Sequence, residues 1–254
     1  MIKYEESKLK EEHDIVITYL TKSFKIDLEK LPELDNFIYA SLKSIISLKI
    51  WSKYLKDSEE IPIGLDQYFD ELISNLNYIL LMGVIGYRVP SFVMIRRSLE
   101  NYLMFLYYKD HPIEFYKKEQ NHIKRDFLRN DILIKYIEEY PFEMDSKIDS
   151  ASHTKLAKEV MKRWIKQYQE LSNFVHGTNI KFLELKSYLD DIQPTNAVLS
   201  SVKDQMLLFS SIVNTLNILF FQEKYQELSE DEKTIVRFSI GTQEGFKKEL
   251  QNIY

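Results

Sequence analysis

Cysteine is absent from all 254 residues, which excludes disulfides, thiolate nucleophiles and cysteine-held metals. Glycine and proline number only six each, so the chain has few of the breaks that punctuate short strands, and long helices are favoured. No apolar run reaches the roughly 20 residues needed to cross a bilayer. The longest, "MLLFSSIVNTLNILFF" at 206–221, is interrupted by Ser, Asn and Thr and reads as a buried bundle helix. There is no Gly-rich phosphate loop, no G-x-S-x-G elbow and no H-E-x-x-H pair, and the five histidines (His13, His111, His122, His153 and His176) are scattered. We therefore expect no cofactor and no metal. The opening "MIKYEESKLKEEHD" lacks the apolar core of a signal peptide, which makes a cytoplasmic, non-membrane protein the simplest expectation. A net charge of −5 gives no global attraction to nucleic acid or anionic lipid, so any polyanion site must be a local patch.

What the chain does hold is apolar residues at helical spacing, with 17 Tyr and 15 Phe to fill the core. The pattern predicts an all-α multi-helix bundle with helices near 6–23, 36–57, 66–87, 90–110, 123–139, 153–176 and 196–226, and shorter ones after 229. Breaks fall at "DSEEIPIG", at Pro90, at "KDHP", at "YPFEMDSKIDS" and at "IQPTN". None is long or low in complexity. The chain reads as one domain, 1–254, with the first 30 residues as a peripheral arm. The stretch "IKFLELKSYLDDI" at 180–192 is open to two readings, because "IKFLELK" alternates like a strand while the whole could be a short helix.

The segment 90–110, "PSFVMIRRSLENYLMFLYYKD", is apolar all round, the mark of a helix enclosed by neighbours. Within it, Arg97, Glu100, Asn101 and Met104 share one arc at 100° per residue, a polar streak in an apolar surround. Burying such charges is costly unless they are paired, so Arg97 is expected to meet Glu100 or a polar group of another helix. The second helix of interest ends "YQELSNFVHG": Tyr168 and Leu171 continue its apolar stripe, while Ser172 and His176 lie four residues apart at the edge of that stripe. Gly177 is a helix stop, and a histidine in the last turn suits the helix dipole. His176 can therefore be read as a capping or packing residue, or as a member of a site.

The paired signatures "RRSLENYLMFLYY" and "YQELSNFVHG" resemble helical bacterial and phage-associated proteins with an R-S-x-x-E helix and a later Y-x-x-x-S-x-x-x-H helix, similar in layout to the HEPN-like domains of toxin and abortive-infection systems. The resemblance covers roughly 66–180. It implies an α-helical, often dimeric protein and metal-independent RNA cleavage. The Arg, four to six residues, His spacing usual in that superfamily occurs nowhere in this chain, so the arginine would come from Arg96 or Arg97 on a separate helix. In that scheme His176 is the general acid/base, Arg97 clamps the phosphate, Glu100 orients Arg97, and Ser172 or Tyr168 orients the imidazole.

Two basic stretches could follow an RNA backbone: Lys155, Lys158, Lys162, Arg163 and Lys166 on the helix leading to His176, and Lys117, Lys118, Lys124, Arg125 and Arg129 around "YKKEQNHIKRDFLRN". Both read equally as solvated faces. Three functions thus stand side by side. One is a HEPN-like defence or toxin-type protein that cleaves or binds RNA. The second is a non-enzymatic, sensor- or antitoxin-like interaction module, in which Arg97, Glu100, Ser172 and His176 form a structural network and the partner is encoded in the same operon. The third is a small-ligand binder using the same cluster as a pocket floor. A homodimer is expected, with 206–221 sealing either the chain's own core or a partner's.

Overall fold

The computed structural model describes residues 6–24, 30–56, 58, 61–120, 129–142, 150–188 and 191–240. Those residues form an all-α bundle of ten helices: α1 (Glu6–Phe24), α2 (Glu33–Leu55), α3 (Asp66–Val84), α4 (Arg88–Asp110), α5 (Pro112–Glu119), α6 (Asn130–Glu138), α7 (Ser150–His176), α8 (Asn196–Phe220), α9 (Gln222–Glu227) and α10 (Glu230–Ile240). No helix among them is long and apolar enough to cross a membrane.

Helices α4 and α8 form the centre. The first packs against α3, α7 and α8, and the second against α2, α4, α7 and α10. Twelve residues of α4 are buried, on no single face, as expected of a helix whose apolar residues run all round it. The apolar stretch of α8 closes the chain's own core, with Phe209 and every later residue of the helix buried. The polar residues that interrupt it are buried too, and most of their polar atoms are paired, Asn217 Nδ2 alone being without a partner among the described polar atoms of this stretch. Asn214 accepts from Trp51 Nε1 at 2.9 Å and donates to Ser47 Oγ at 3.0 Å, and Asn217 accepts from the Tyr102 hydroxyl at 2.9 Å. Ser211 donates to the Ile240 carbonyl, which ties α8 to the end of α10. At the edge of the bundle α1 packs on α2, with Leu9 and Leu20 buried.

Three departures from the periodicity have local causes. Pro112 begins α5, where a break was expected, because a proline at the first helical position gives up an N–H that would have had no partner there. The predicted 196–226 helix stops at Phe221, whose backbone (φ −132°, ψ 49°) leaves the helical region before α9 restarts. Around "IKFLELKSYLDDI", Ile180–Phe182 is a single 3-10 turn and 183–187 carry neither helix nor strand. Of the predicted 123–139 helix, 130–138 is helical, while 123–128, with Lys124 and Arg125, lie outside the described residues.

Glycine matters at two positions near the candidate site. Gly86 has φ +92°, and a Cβ there would stand 2.4 Å from the Gln193 carbonyl oxygen, so the α3–α4 turn lies hard against the segment before α8. Gly177 ends α7 with φ +55°, and Thr178 donates back to the Asn173 carbonyl at 3.3 Å, closing the left-handed helix stop that the sequence announces.

Candidate functional site

Helices α4 and α7 run antiparallel along their contact. Trp164 Nε1 donates to the Leu99 carbonyl, Arg96 meets Tyr168, and the Phe92 ring meets Phe174, so rising numbers on one helix face falling numbers on the other. This alignment decides which predicted site residues meet.

Arg96, not Arg97, is the arginine that enters the α4–α7 seam. Its Nη2 donates to the Tyr168 hydroxyl at 2.6 Å and lies 3.5 Å from Glu100 Oε1, and its guanidinium carbon sits 4.7 Å from the Tyr168 ring centre. The Tyr168 hydroxyl in turn donates to Glu100 Oε1 at 2.7 Å. Burial, reinforced by the Glu100 carboxylate and opposed by Arg96, raises the Tyr168 pKa, so the phenol stays a protonated bridge rather than a base. The ring is fixed from behind by parallel stacking on Trp164 at 4.9 Å.

The expected Arg97–Glu100 pair does not form. Arg97 turns to α3, where its Nη2 lies 2.5 Å from Glu71 Oε1, and its side chain is 59% exposed. Asn101 joins it by donating to Glu71 Oε2 at 2.7 Å. Residues three apart can pair, as Glu159 and Lys162 do on α7, so the cause is the helices on either side: α3 offers Glu71 to Arg97, and α7 offers Tyr168 to Arg96 and Glu100. The streak therefore divides into two i,i+4 pairs: Arg96 and Glu100 face α7, while Arg97 and Asn101 face α3.

Nor does His176 join either pair. It lies eight residues beyond Tyr168, a rise of about 12 Å along α7. Its side chain is exposed and makes no hydrogen bond or ion pair among the described residues. Ser172 does not orient it either, because its hydroxyl donates back to the Tyr168 carbonyl at 2.6 Å. Of the five residues singled out by sequence, the structure brings together Glu100 and Tyr168, with Ser172 one turn away, and separates Arg97 and His176 from them.

His176 instead opens on a cleft of about 500 Å³ at the start of α4, lined among others by Tyr87, Pro90, Phe174, Phe182, Glu184 and Lys186. Glu184 is the polar anchor there. Its Oε2 accepts from the Val89 N–H at 3.3 Å, meeting one of the free amides of the α4 N-terminus, and its Oε1 lies 3.7 Å from Arg88 Nε. Arg88 also lies over the Phe174 ring at 5.4 Å. Sequence reasoning did not find Arg88 or Glu184, since nothing in "YRVP" or "FLELK" says that they meet across 95 residues.

The lysines of α7 are a solvated face. Lys155, Lys158, Lys162 and Lys166 are exposed, and Lys162 pairs with Glu159 on its own helix at 2.6 Å. Among the described residues no group of three or more His, Cys, Asp or Glu is arranged to hold a metal ion. A second buried ionic group was also missed. Glu232 is 2% exposed and accepts from Lys53 at 3.0 Å, from the Tyr54 hydroxyl at 2.8 Å and from the Ser229 N–H at 3.0 Å. Its signal was present in the sequence as Ser229-x-x-Glu232, the reciprocal cap of a helix N-terminus. No family model matches the chain, and neither curated proteins nor solved structures return a match.

Proposed function

We infer that this protein is a non-enzymatic interaction module in which the polar residues of α4 and α7 hold the bundle together. The observation that carries this reading is the pairing of both candidate arginines with carboxylates: Arg96 with Glu100 under the Tyr168 hydroxyl, and Arg97 with Glu71. A phosphate clamp needs a cation free to make bidentate contacts near the proton-transfer group. Here each guanidinium faces a carboxylate that would compete with phosphate, and the histidine stands two helical turns away. A sensor- or antitoxin-like protein acting on a partner from the same operon fits a network in which both cations are already matched by carboxylates.

Melting temperature and RNA cleavage, measured on the same preparations of wild type, Arg96→Met, Arg97→Ala and His176→Ala, test the reading. The expected result is no cleavage by any of them, a lowered melting temperature for Arg96→Met, and values near wild type for the other two. Metal-independent cleavage by the wild type that disappears in His176→Ala would overturn it.

One observation favours a second reading, a HEPN-like ribonuclease of defence or toxin type. The His176 imidazole is exposed at a cleft that also presents Lys186, with Arg88 beside it. In that reading His176 moves the proton, and Lys186, rather than Arg97, faces the phosphate. Loss of cleavage in Lys186→Ala but not in Arg97→Ala would select it.

A further inference from the structure

The segment after Gly177 exposes a cluster of large apolar side chains. Four large hydrophobic side chains stand in water within nine residues: Ile180 at 84% exposure, Leu183 at 46%, Leu185 at 84% and Tyr188 at 76%. Beyond the 3-10 turn exposure alternates over Leu183, Glu184 and Leu185, which are exposed, half-buried and exposed, as the period-two pattern of an extended chain requires. Leu183 itself is extended (φ −76°, ψ 138°).

In an extended chain successive peptide groups point to opposite edges. On one edge, the Leu183 N–H is spent on the Ile180 carbonyl and the Ser187 N–H on Asp191 Oδ2. On the other edge, the peptide groups of Glu184 and Lys186 have no hydrogen-bond partner among the described residues. A short, unpaired, apolar edge of this kind is a template for adding a strand.

We propose that this edge pairs antiparallel with the same segment of a second copy of the chain, about a two-fold axis through Leu185. The charges select that register. Centred on Leu185, Glu184 stands opposite Lys186 in both directions, Leu185 opposite Leu185, and Leu183 opposite Ser187. Centred on Glu184 or on Lys186, a like charge faces itself, which destabilises cross-strand pairs. The same register makes Glu184 and Lys186 the hydrogen-bonded pair, so the peptide groups left free are the ones it uses. It leaves Leu183 and Ser187, whose N–H groups are engaged, in the non-hydrogen-bonded positions. The edge borders the His176 cleft, which Leu183, Glu184 and Lys186 line, so the second copy would roof it. The core stretch of α8 is fully used within one chain, so it supplies no competing surface. A five-residue ribbon buries less than the roughly 1,200 Å² of a standard interface, so the dimer belongs to the weak, concentration-dependent class.

This assignment rests on the interaction reading and adds to it a surface for self-pairing. Because the chain has no cysteine, Leu185→Cys introduces a single thiol. At the two-fold, the Cα atoms of a non-hydrogen-bonded pair stand about 4.5 Å apart, inside the range a disulfide spans. Under mild oxidation Leu185→Cys is expected to form a covalent dimer, while Ile113→Cys, at a 69% exposed position on α5, remains monomeric. Sedimentation of the wild type should show dimer growing into the high micromolar range, and Lys186→Glu, which sets Glu opposite Glu twice, should weaken it about tenfold. Circular dichroism on each variant confirms that the fold is kept. A wild type that stays monomeric, or cross-linking of Leu185→Cys no greater than that of Ile113→Cys, overturns self-pairing. If those samples are also inert toward RNA, the interaction reading survives with a different partner. RNA cleavage lost in His176→Ala overturns the interaction reading and, with it, the purpose given to this edge.

Discussion

Around Asn214 the seam between α2 and α8 is neutral and sealed, its one ion pair among the described residues, Glu33 with Lys203, lying far off at the start of α2, whereas the seam between α4 and α7 is ionic and open to water. Trp51, Ser47, Ser210 and Asn214 have no measurable exposure, and their hydrogen bonds close on one another. Arg96 and Glu100 keep 22% and 32% of their side chains exposed. Water can therefore take over when one partner of the ionic seam is removed, but it cannot reach the neutral one. The two seams thus divide by what fails when they are cut: a sealed amide leaves orphaned donors, while a surface-proximal ion pair is screened and replaceable.

The largest effect is expected in the sealed seam. Asn214→Ala strands the Trp51 indole N–H and removes side-chain volume at a fully buried position, and should cost about 3 kcal/mol in urea or thermal unfolding. A cost near zero would mean that water enters between α2 and α8, and the contrast between the seams would vanish.

Glu232 sharpens the comparison because it is ionic yet sealed. Burial pushes its carboxyl pKa up, but the Ser229 amide, Lys53, Tyr54 and the Ser229 hydroxyl outweigh burial and hold it below the ordinary 4.5. A carboxylate depressed in the folded state contributes stability that is present above the unfolded pKa and lost as pH falls through the folded one. Lys53, opposed by burial but held by Glu232, has a raised pKa, so its share is present below 10.5 and lost as pH rises through the folded value. Glu232→Gln should cost about 2 kcal/mol at neutral pH and flatten the acid limb of a melting-temperature profile below about pH 4.5. An acid limb unchanged from wild type would assign it to other carboxylates.

The ionic seam of α4 comes next. Glu100→Ala is expected to cost about 1 kcal/mol, because Arg96 keeps the Tyr168 hydroxyl and can turn to solvent. Arg97→Ala, at a 59% exposed side chain, should fall within about 0.5 kcal/mol of wild type. Reversal of that order would put the buried pair on the Arg97 side after all.

High alkali offers a last, small refinement. Tyr68 and Tyr107 have pKa values raised to about 12, Tyr68 by burial and by Glu119 and Glu71, Tyr107 by burial and by its bond to Glu114. Raised phenols stabilise the fold below their unfolded pKa of 10.0, and that contribution is lost as pH rises toward 12. An ultraviolet titration should show a late phenol ionisation step that coincides with unfolding.

Residue periodicity, scarce glycine and proline, and the Gly177 stop determined the all-α class, most helix positions, the burial of 90–110 and the termination of α7. Each of these is a local property: an apolar stripe recurs every 3.6 residues whether or not its partner is known, and a left-handed stop needs only the residue that can adopt it. Which arginine meets which carboxylate was not local. Arg96 and Arg97 lie about 100° apart on α4, and only the placement of α3 on one side and α7 on the other sends Arg97 to Glu71 and Arg96 to Glu100 and Tyr168. The separation of His176 from both pairs likewise follows from the antiparallel register of α4 and α7, fixed by contacts such as Trp164 on Leu99 that join residues 65 positions apart. Side-chain chemistry is written along the chain, but the pairing of charges is decided by the packing of whole helices, because only that packing determines which face of each helix another one covers.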